Sequence, residues 1–401
     1  MTSPSEDRRF EYGIPDTLQK ALAVYRSAST TDERKAATSL LLKEIDLCED
    51  EFMIDPVTAS YLRERVSPKN LCEFSENDFD PYDVEPGLFF GGLAGNKIAL
   101  SLPYFMFYTS FSNLVVKYPN DLRGKGIRNC SLERSNSPMS EFIGSHIYAM
   151  LGIPVHRTFL GKRNGSLVVA CSYLPRKTER LVEFREIKTT FEPKGDYPAG
   201  LVDGKSTELS EVLRVLDEHP LFSNEGYHIE DSVKGRFWDM FVVDAFIGNP
   251  DRNNGNWGVL VDSTPTNPPR LAPVYDCGNC LGDKWDESKI EEYLASGDFE
   301  RASAATAMPS IFTRNGKKIN PCAFISRHEH PDCDAAVRRI VPRIMAKLHG
   351  IDDLLASTPY IDDLHRRFYT SVMKERLSHS LLPAFNELEK EKTRHKALDR
   401  F

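Results

Sequence analysis

Residues 15–50 carry apolar side chains at the spacing of two helices. One set follows Asp16, a residue type that is typical of helix N-caps. A second set follows Thr31 or Thr30 and an acidic turn. The two sets are, in order, Leu18, Ala21, Leu22 and Tyr25, and Ala36, Leu40, Leu41 and Ile45. This spacing predicts one buried face on each helix. A third, short helix is predicted over 56–65, with proline in its first turn.

The pattern changes after an acidic stretch, 73–86, that contains two prolines. Proline and clustered polar residues interrupt regular structure, so we predict a boundary there. Beyond it the apolar runs are short and of β type, with one helical pattern among them over 137–152. The β-type runs are LFFG, KIALSL, NLVVKYP and SLVVAC.

One uncharged run tests whether the chain enters a membrane. Residues 98–116 carry no charge, and that length approaches a bilayer span. Serine, threonine, proline and asparagine interrupt the run, and aromatic and β-branched residues are frequent in it. We therefore interpret it as two strands joined by an aromatic connection rather than as a membrane helix. That connection either buries itself locally or offers a surface to a partner.

The remainder of the chain has a mainly helical pattern. Its longest helical segment, 228–247, is followed by the loop GNPDRNNGN and by two β-type runs, WGVLV and RLAPVYD. We therefore predict three parts. They are a helical N-terminal extension over 1–85, a small β-rich lobe with its hinge over 86–174, and a larger helical lobe over 175–401.

Composition limits the classes of protein that this chain can belong to. Of its 401 residues, 40 % are hydrophobic and 27 % are charged, which excludes long disordered or collagen-like chains. The net charge of −8 argues against coating nucleic acid, so no direct nucleic-acid partner is expected. The first residues carry charge and lack an apolar signal segment, and the eight cysteines are dispersed. We expect reduced thiols, a cytoplasmic location and no membrane partner.

The loop GNPDRNNGN carries the clearest chemical pattern. Asp251 and Asn256 lie five residues apart on it, and Asp276 follows 25 residues after Asp251, at the end of the run RLAPVYD. Phosphoryl transfer needs an acid that orients or deprotonates the attacking hydroxyl, and hard oxygen ligands for Mg²⁺. Asp251 is the candidate for the first role. Asn256 and Asp276 are the candidates for the second.

This spacing repeats the D-x₄-N and D-x-G pattern of protein-kinase catalytic and metal loops, with Asp-Cys-Gly in place of Asp-Phe-Gly. Asp, Asn and Gly also make ordinary turns, so either half alone would indicate only a turn. Both halves together, each beside β-type runs, favour chemistry. Arg252 is expected to orient the loop. Asp244, on the preceding helix, is expected to hydrogen-bond the backbone of the loop.

Upstream residues are candidates for a phosphate site. Lys117 lies in the run LVVKY, where strand alternation can direct its ammonium into a cleft. Glu141, on the next helix, can pair with Lys117 and position it against phosphates, and a surface salt bridge is the plain alternative. Gly92 and Gly95 precede the strand in a glycine-rich turn whose backbone N–H groups can approach an anion closely. Lys97 is a second candidate contact there.

Six segments resemble the HipA-like serine/threonine kinases. They are FGGLAGNKIAL, VVKYP, SPMSEFIGSHIYAMLGIPVHRTFLG, VVACSYL, FWDMFVVDAFIGNPDRNNGNWGVL and LAPVYDCGNCL. The resemblance covers about residues 88–380 and is nearest to members that lack the N-terminal subdomain of the toxin HipA. It implies an α+β, two-lobed protein-kinase-like fold. A small mixed-sheet N-lobe, a large helical C-lobe and the extra helical N-terminal segment make up that fold.

The resemblance also implies residue roles. Asp251 corresponds to the catalytic base and Lys117 to the lysine on the ATP phosphates. The implied metal ligands are Asn256 and Asp276. Cys171 and Tyr173 fall in the segment that matches the hinge between the lobes, which meets adenine through backbone contacts.

Two features depart from the family pattern. Asn253 stands where members usually have histidine after the Asp-Arg pair, which removes a group that titrates near neutrality. The segment between the glycine-rich turn and Lys117 is longer and more aromatic than usual. Family members can autophosphorylate a serine of the nucleotide loop, and none of the serines here matches that site. The serines of this region are Ser101, Ser110 and Ser112.

We therefore predict an ATP- and Mg²⁺-dependent kinase that phosphorylates Ser or Thr of a protein, itself included. A cognate antitoxin or another regulator is an expected further partner. The expected setting is that of a toxin, a regulator or an effector delivered to a host cell. Two alternatives stay open: a kinase for lipids or small molecules, and a nucleotide-binding pseudokinase that acts as an interaction module. A pseudokinase usually lacks a member of the catalytic set, which here is intact as Lys117, Asp251, Asn256 and Asp276.

Overall fold

The computed structural model describes residues 15–27, 31–50, 73–74, 97–101, 113–123, 132–163, 166–175, 178–191, 203–223, 230–263, 269–296 and 310–398. The chain divides into two units. They are residues 1–116 with 161–164, and residues 117–160 with 165–401. The division passes through two strands. The two-lobed arrangement and the three predicted domain ranges stay predictions.

In the first unit, α1 (Asp16–Ser27) and α2 (Thr31–Asp50) confirm the two predicted helices. Their shared core consists of Leu18, Ala21, Leu41, Ile45 and Cys48. The buried stripe of α2 starts at Ala37 rather than at the predicted Ala36, which is exposed. The predicted core residue Leu40 is also 40 % exposed. Residues four apart lie on one helix face, and the stripe from position 37 onward meets α1. The predicted helix over 56–65 lies outside the described residues.

The first unit also contains β1 (Glu73–Phe74), β2 (Lys97–Ser101) and all of β3 (Asn113–Lys117) except its last residue. β2 and β3 are neighbours in one sheet, which confirms the two strands predicted for the uncharged run 98–116. The aromatic connection between them lies outside the described residues. Among the helices that the structure describes, none has the length and apolar character needed to cross a membrane.

The second unit is mainly helical, with small sheets. Its helices are α3 (Ser137–Met150), α4 (Phe184–Thr189), α5 (Leu209–Glu218), α6 (Pro220–Ser223), α7 (Glu230–Ile247), α8 (Glu287–Ser296), α9 (Pro321–Ser326), α10 (Pro331–Ser357), α11 (Asp363–Arg376), a π-helical turn (Leu377–Leu381) and α12 (Leu382–Leu398). Its strands are β4 (Thr158–Arg163, shared with the first unit), β5 (Ser166–Ser172), β6 (Glu179–Glu183), β7 (Gly258–Asp262), β8 (Arg270–Leu271), β9 (Thr313–Arg314) and β10 (Lys317–Lys318). The predicted α+β class is confirmed.

From Met240 to Ile247, helix α7 is buried on all sides, as expected for a segment whose apolar residues are not confined to one stripe. It packs against α10. The ring of Phe237 meets that of Phe312 edge-on, and Phe241 meets Phe324 in the same way, with centroids 5.3 and 5.4 Å apart. Ile247, its last residue, is fully buried. The loop that follows α7 therefore starts from a fixed point in the core.

The chain after α3 runs beside the segment that leads to Asp276. Val155 pairs in parallel with Val274, and the backbone N–H of His156 donates to the carbonyl oxygen of Val274 at 2.9 Å. Gly144 of α3 permits a close approach, because a Cβ there would lie 2.9 Å from the Cβ of Cys277. This packing brings α3 and the Asp276 segment together.

Strands β6, β7 and β8 form an antiparallel sheet next to the loop GNPDRNNGN. Val182 is paired with Val259, and Val259 with Leu271. The segment that forms β6 is short and charged, so its own sequence pattern does not predict a strand. It is a strand because it pairs with β7. At the start of β7, a Cβ on Gly258 would lie 2.2 Å from the carbonyl oxygen of Val182. Only glycine fits at this crossing.

Replacing Gly258 with alanine should therefore destabilise the protein. We expect Gly258→Ala to lower the free energy of unfolding by about 1–3 kcal/mol through overpacking. Gly235→Ala, within α7, should be neutral or stabilising by up to about 1 kcal/mol, because glycine is unfavourable in a helix interior. A Cβ there would approach only the Arg339 guanidinium, at 3.9 Å. Urea denaturation measures both, and equal midpoints would contradict the expectation.

Candidate active site

Lys117 and Glu141 form the ion pair that the sequence predicts. The Lys117 ammonium donates to Glu141 Oε2 at 2.8 Å and to Asp276 Oδ1 at 3.1 Å. Lys117 ends β3, Glu141 lies in α3 and Asp276 follows β8, so three elements meet at one ammonium. Burial alone would lower the pKa of Lys117. The charges of Asp276 and Glu141 outweigh burial and hold that pKa well above its ordinary value.

Glu141 is buried, and its other oxygen is also bound. Oε1 accepts from the backbone N–H of Cys277 at 3.1 Å and lies 2.8 Å from His156 Nε2. Burial alone would raise the pKa of Glu141. The charge of Lys117 and the hydrogen bond from His156 outweigh burial, so this pKa lies well below its ordinary value. A carboxylate held at both oxygens fixes the position of the lysine that it binds.

His156 is a site residue that the sequence analysis missed. It is 5 % exposed, and its Nε2 also lies 3.1 Å from Ser145 Oγ. Cys171 belongs to the same cluster, in which one ligand atom each from Glu141, His156 and Cys171 lies within 4.8 Å of the other two. Three such groups can hold a metal ion, but the Lys117 ammonium already lies on this carboxylate. His156 lies in a segment that carries the family resemblance, but no spacing pattern in the sequence assigns it a role.

Asp251 lies between α7 and β7, with both carboxylate oxygens bound by amides. Oδ1 accepts from Asn253 Nδ2 at 3.0 Å, and Oδ2 accepts from Asn279 Nδ2 at 2.8 Å. Burial raises the pKa of Asp251, and the nearby charge of Asp276 adds to this effect, while the hydrogen bond from Asn253 opposes it. The carboxyl group therefore accepts a proton more readily than an ordinary aspartate.

Two asparagines shape the loop around Asp251. Asn253 accepts the N–H of Gly255 through Oδ1 at 2.8 Å while its Nδ2 donates to the aspartate. Asn256 Nδ2 donates to the carbonyl oxygen of Asp251 at 2.7 Å. This hydrogen bond points the Asn256 side-chain oxygen away from that carbonyl. Asn253, at the position where the resembled kinases usually have histidine, thus holds the loop with a side chain that does not itself titrate.

Arg252 orients the loop, as predicted, through a buried ion pair with Asp244. Arg252 Nε donates to Asp244 Oδ2 at 2.9 Å, and the two side chains are 3 % and 7 % exposed. Another guanidinium nitrogen donates to the carbonyl oxygens of Asn256, at 2.9 Å, and of Tyr275. Burial alone would lower the pKa of Arg252, but Asp244 outweighs it and holds that pKa well above its ordinary value.

The expected hydrogen bond between Asp244 and the backbone of the loop is wrong, because the Asp244 carboxylate binds side chains instead. Its carboxylate accepts from the side chains of Arg252 and Asn249, the latter at 3.0 Å, and from the hydroxyl of Tyr148 at 2.8 Å. A buried carboxylate is stabilised more by a charged donor than by neutral backbone N–H groups. Asp244 therefore acts on the loop through the Arg252 guanidinium.

Asp276 has a backbone φ of 61°, in the left-handed region that Asp and Asn tolerate better than most residues. The next residue, Cys277, holds this turn in place, because its N–H binds Glu141 and its sulfur lies 3.6 Å from an Arg252 nitrogen. Burial raises the pKa of the Cys277 thiol to about 12, so the thiol stays neutral. The metal-loop candidate is thus fixed by both buried ion pairs.

The structure brings the predicted chemical residues together in two linked groups. Lys117, Glu141 and Asp276 are in direct contact, and Asp251 contacts Asn256. The Arg252 guanidinium joins the two groups. It donates to the backbone carbonyl oxygen of Asn256 and to that of Tyr275, the residue before Asp276.

The structure describes the remaining predicted site residues only in part. Tyr173 follows β5 directly and is half-buried, and burial raises its pKa. Lys97 opens β2, but its side chain, like all of Gly92 and Gly95, lies outside the described residues. Their roles at a nucleotide, and the adenine contact of Cys171, stay predictions.

Comparisons with known proteins show which proteins this chain resembles. The chain is 34 % identical over 304 residues to the serine/threonine-protein kinase CtkA of Helicobacter pylori strain J99, covering 75 % of this chain and 85 % of the relative. The crystal structure of the H. pylori proinflammatory kinase CtkA matches with a TM-score of 0.62 and 28 % identity, over 80 % of this chain and 99 % of that one. HipA, from the Shewanella oneidensis complex with HipB and operator DNA, matches with a TM-score of 0.42 and 13 % identity, over 77 % and 70 % of the two chains. No protein-family model matches the chain.

The class defined by the fold, the site and the relative is that of serine/threonine protein kinases. Within this class the chain belongs to the CtkA-like family. The kinase predicted from the sequence motifs is therefore confirmed. Membership of the class implies the use of ATP and of protein substrates.

Removing one partner of the buried ion pair should be costly. We expect Asp244→Ala to lower the free energy of unfolding by about 3–5 kcal/mol, because it leaves the Arg252 guanidinium buried without its anion. Asp239→Ala, on the same helix, breaks a pair with Arg339, whose side chain is 41 % exposed, and should cost less than about 1 kcal/mol. Chemical denaturation of both variants measures the difference. Similar losses would mean that Arg252 finds another partner.

Proposed function

We propose that this chain transfers the γ-phosphoryl group of ATP to a serine or threonine hydroxyl, with Asp251 as catalytic base and Lys117 on the phosphates. The observation that carries the proposal is the shared ammonium of Lys117. It lies 2.8 Å from Glu141 and 3.1 Å from Asp276, beside a loop whose aspartate has a raised pKa. Protein kinases use the same Lys–Glu pair and metal-binding aspartate to align the triphosphate.

The donor set fits Mg²⁺, which prefers hard oxygen ligands. Asn256 has its amide nitrogen engaged by the Asp251 carbonyl, so its side-chain oxygen is oriented as a ligand. Asp276 provides a carboxylate whose side chain is 25 % exposed. We infer that these two residues would hold the ion. When bound, Mg²⁺ would neutralise charge that develops on the phosphate oxygens.

The residues of the chain then divide the remaining work. Asp251 accepts a hydrogen bond from the substrate hydroxyl, directs its oxygen to the γ-phosphorus and takes up its proton. The new oxygen–phosphorus bond forms as the bond to the β,γ-bridging oxygen breaks and ADP departs. Lys117, held by Glu141, keeps the phosphates in line. Positioning and charge neutralisation supply most of the rate enhancement.

We infer the class of acceptor and the biological setting from the relatives rather than from the site. The name of the CtkA relative favours a protein acceptor over a lipid or small molecule. The relative of known structure is described as a proinflammatory kinase, which favours an effector that acts on host cells over a toxin paired with an antitoxin. Autophosphorylation of a serine near the nucleotide, a regulator as partner and a cytoplasmic site of action remain part of the proposal.

Substitutions at Asp251 and Asp276 should separate chemistry from metal binding. We expect Asp251→Asn to lower kcat by about 10²–10⁴-fold and to leave Mg²⁺-dependent ATP binding near normal, since only the base is removed. Asp276→Asn should weaken that binding, because it removes a charged ligand. Transfer of labelled phosphate to protein and calorimetric titration with ATP measure the two properties.

A surface variant provides the matched control for these substitutions. Asp363→Asn, at the start of α11, makes the same chemical change at a side chain that is 68 % exposed, and it should leave both properties unchanged. Equal loss of ATP binding in Asp251→Asn and Asp276→Asn would contradict the division of roles. ATP binding without transfer in the wild-type chain would contradict the proposed function.

The pH dependence of transfer should report the environment of Asp251. Transfer requires the carboxylate form, so the rate falls as the pH drops through the pKa of this group. Because burial raises that pKa, the acidic limb should lie at higher pH than for an ordinary aspartate, which titrates near 3.8. Steady-state rates across acidic pH, with circular dichroism to verify folding, test this. A limb at or below the ordinary range would refute the assignment.

A further inference from the structure

A hydrogen-bonded chain outside the catalytic loop ends on Asp251. Lys284 Nζ donates to Asn279 Oδ1 at 3.0 Å, and Asn279 Nδ2 donates to Asp251 Oδ2 at 2.8 Å. Both residues lie in the turn that follows Asp276, three and eight positions after it. The contact therefore connects the segment after the metal-loop candidate to the proposed base.

Two backbone hydrogen bonds anchor this turn, one to the end of α7 and one to the residue before α3. The N–H of Leu281 donates to the carbonyl oxygen of Ile247, at the end of α7, at 3.0 Å. The carbonyl oxygen of Asp283 accepts from the N–H of Asn136 at 2.7 Å. Leu281 is fully buried with a φ of 55°, a conformation that persists only where the surroundings enforce it. Asn279 thus projects from a rigid support.

The catalytic loop itself offers no other cation to this end of Asp251. GNPDRNNGN contains no lysine, and its arginine, Arg252, is engaged by Asp244 and by backbone carbonyls. Lys284 is 35 % exposed, so its ammonium lies at the border of the site. Its charge acts on Asp251, as do those of Arg252 and Asp276.

We propose that Asn279 and Lys284 form a positioning arm that holds the Asp251 carboxylate in its reactive orientation. The proposal rests on the proposed role of Asp251 as base. A side-chain amide can present either its oxygen or its nitrogen, and only the nitrogen is attractive to a carboxylate. The Lys284 ammonium selects the correct orientation, because it binds the amide oxygen and leaves the nitrogen toward Asp251. Lys284 orients the base through Asn279.

Asp283 gives the Lys284 ammonium a second anchor. Asp283 Oδ2 lies 3.8 Å from Lys284 Nζ, and the Asp283 side chain is 5 % exposed. Burial raises the pKa of Asp283 to about 7, and the charge of Lys284 opposes that rise. The ammonium is thus held between its neighbour Asp283 and the Asn279 amide.

A double-mutant cycle on turnover tests the arm. Asn279→Ala should lower kcat by about 10–100-fold with the KM for ATP changed less than about threefold, since it releases the base without touching the nucleotide. Lys284→Met should lower kcat in the same direction, and Lys284→Arg should restore most of it. Because both residues orient the base through one chain of hydrogen bonds, the double variant should be no slower than Asn279→Ala at a pH where Asp251 is fully ionised.

Controls separate the arm from simpler explanations. Lys318→Met removes the same charge at an exposed strand residue and should leave kcat unchanged. Thermal unfolding verifies that each variant folds. If Asn279→Ala fails to fold, the Lys284 variants still test the arm, because the Lys284 side chain is partly exposed. Multiplying effects in the double variant, a normal kcat in either single variant, or a loss confined to KM for ATP would overturn the arm.

The Asp251→Asn variant distinguishes failure of the arm from failure of the proposed function. If Asp251→Asn is inactive while Asn279→Ala has full activity, only the arm is wrong. If Asp251→Asn transfers phosphate at the wild-type rate, the role of the base is wrong, and the arm is overturned with it.

Discussion

The buried guanidinium of Arg252 is the constraint on which the arrangement of the site depends. A charge in the interior is tolerated only when it is paired and its hydrogen-bonding groups are satisfied. Arg252 meets this condition with Asp244 of α7 and with the carbonyl oxygens of Asn256 and Tyr275. The helix before the loop, the loop itself and the segment before Asp276 must therefore keep one mutual geometry. The chemistry proposed for Asp251 and Asp276 is a consequence of that requirement.

A second cation, Lys117, connects the other half of the site by the same principle. Its ammonium lies on Glu141 and Asp276, and Glu141 in turn binds His156 and the backbone of Cys277. Two carboxylates share this one ammonium, and Asp251 adds further negative charge nearby. An anionic triphosphate would be repelled by such a surplus. Under the proposed function, the divalent cation is what makes the nucleotide acceptable to this group of carboxylates.

The sequence predicted which chemical residues lie together better than it predicted the residues that support them. The spacing of Asp251, Asn256 and Asp276 is local and characteristic, so it was recognisable in the sequence. The Lys117–Glu141 contact was also predicted, because the two residues lie on successive elements. His156 and Asn279 were not, although both lie in segments that carry the family resemblance, since their contacts arise only when separate segments pack. In α2, likewise, Leu41 and Ile45 are buried as predicted while Ala36 and Leu40 are exposed, because the partner helix as well as the periodicity selects the buried face.

Two amides, rather than an imidazole, donate hydrogen bonds to the carboxylate of the proposed base, and this difference has a consequence. In the resembled kinases a histidine usually follows the Asp-Arg pair, whereas here Asn253 and Asn279 each donate one hydrogen bond to Asp251. An amide donor has the same charge at every pH near neutrality, while a histidine donates differently in its two protonation states. The orientation of the carboxylate is thus independent of any neighbouring imidazole. What raises the pKa of this carboxyl group is burial, reinforced by the charge of Asp276 and opposed by the hydrogen bond from Asn253 and by the charges of Lys284 and Arg252.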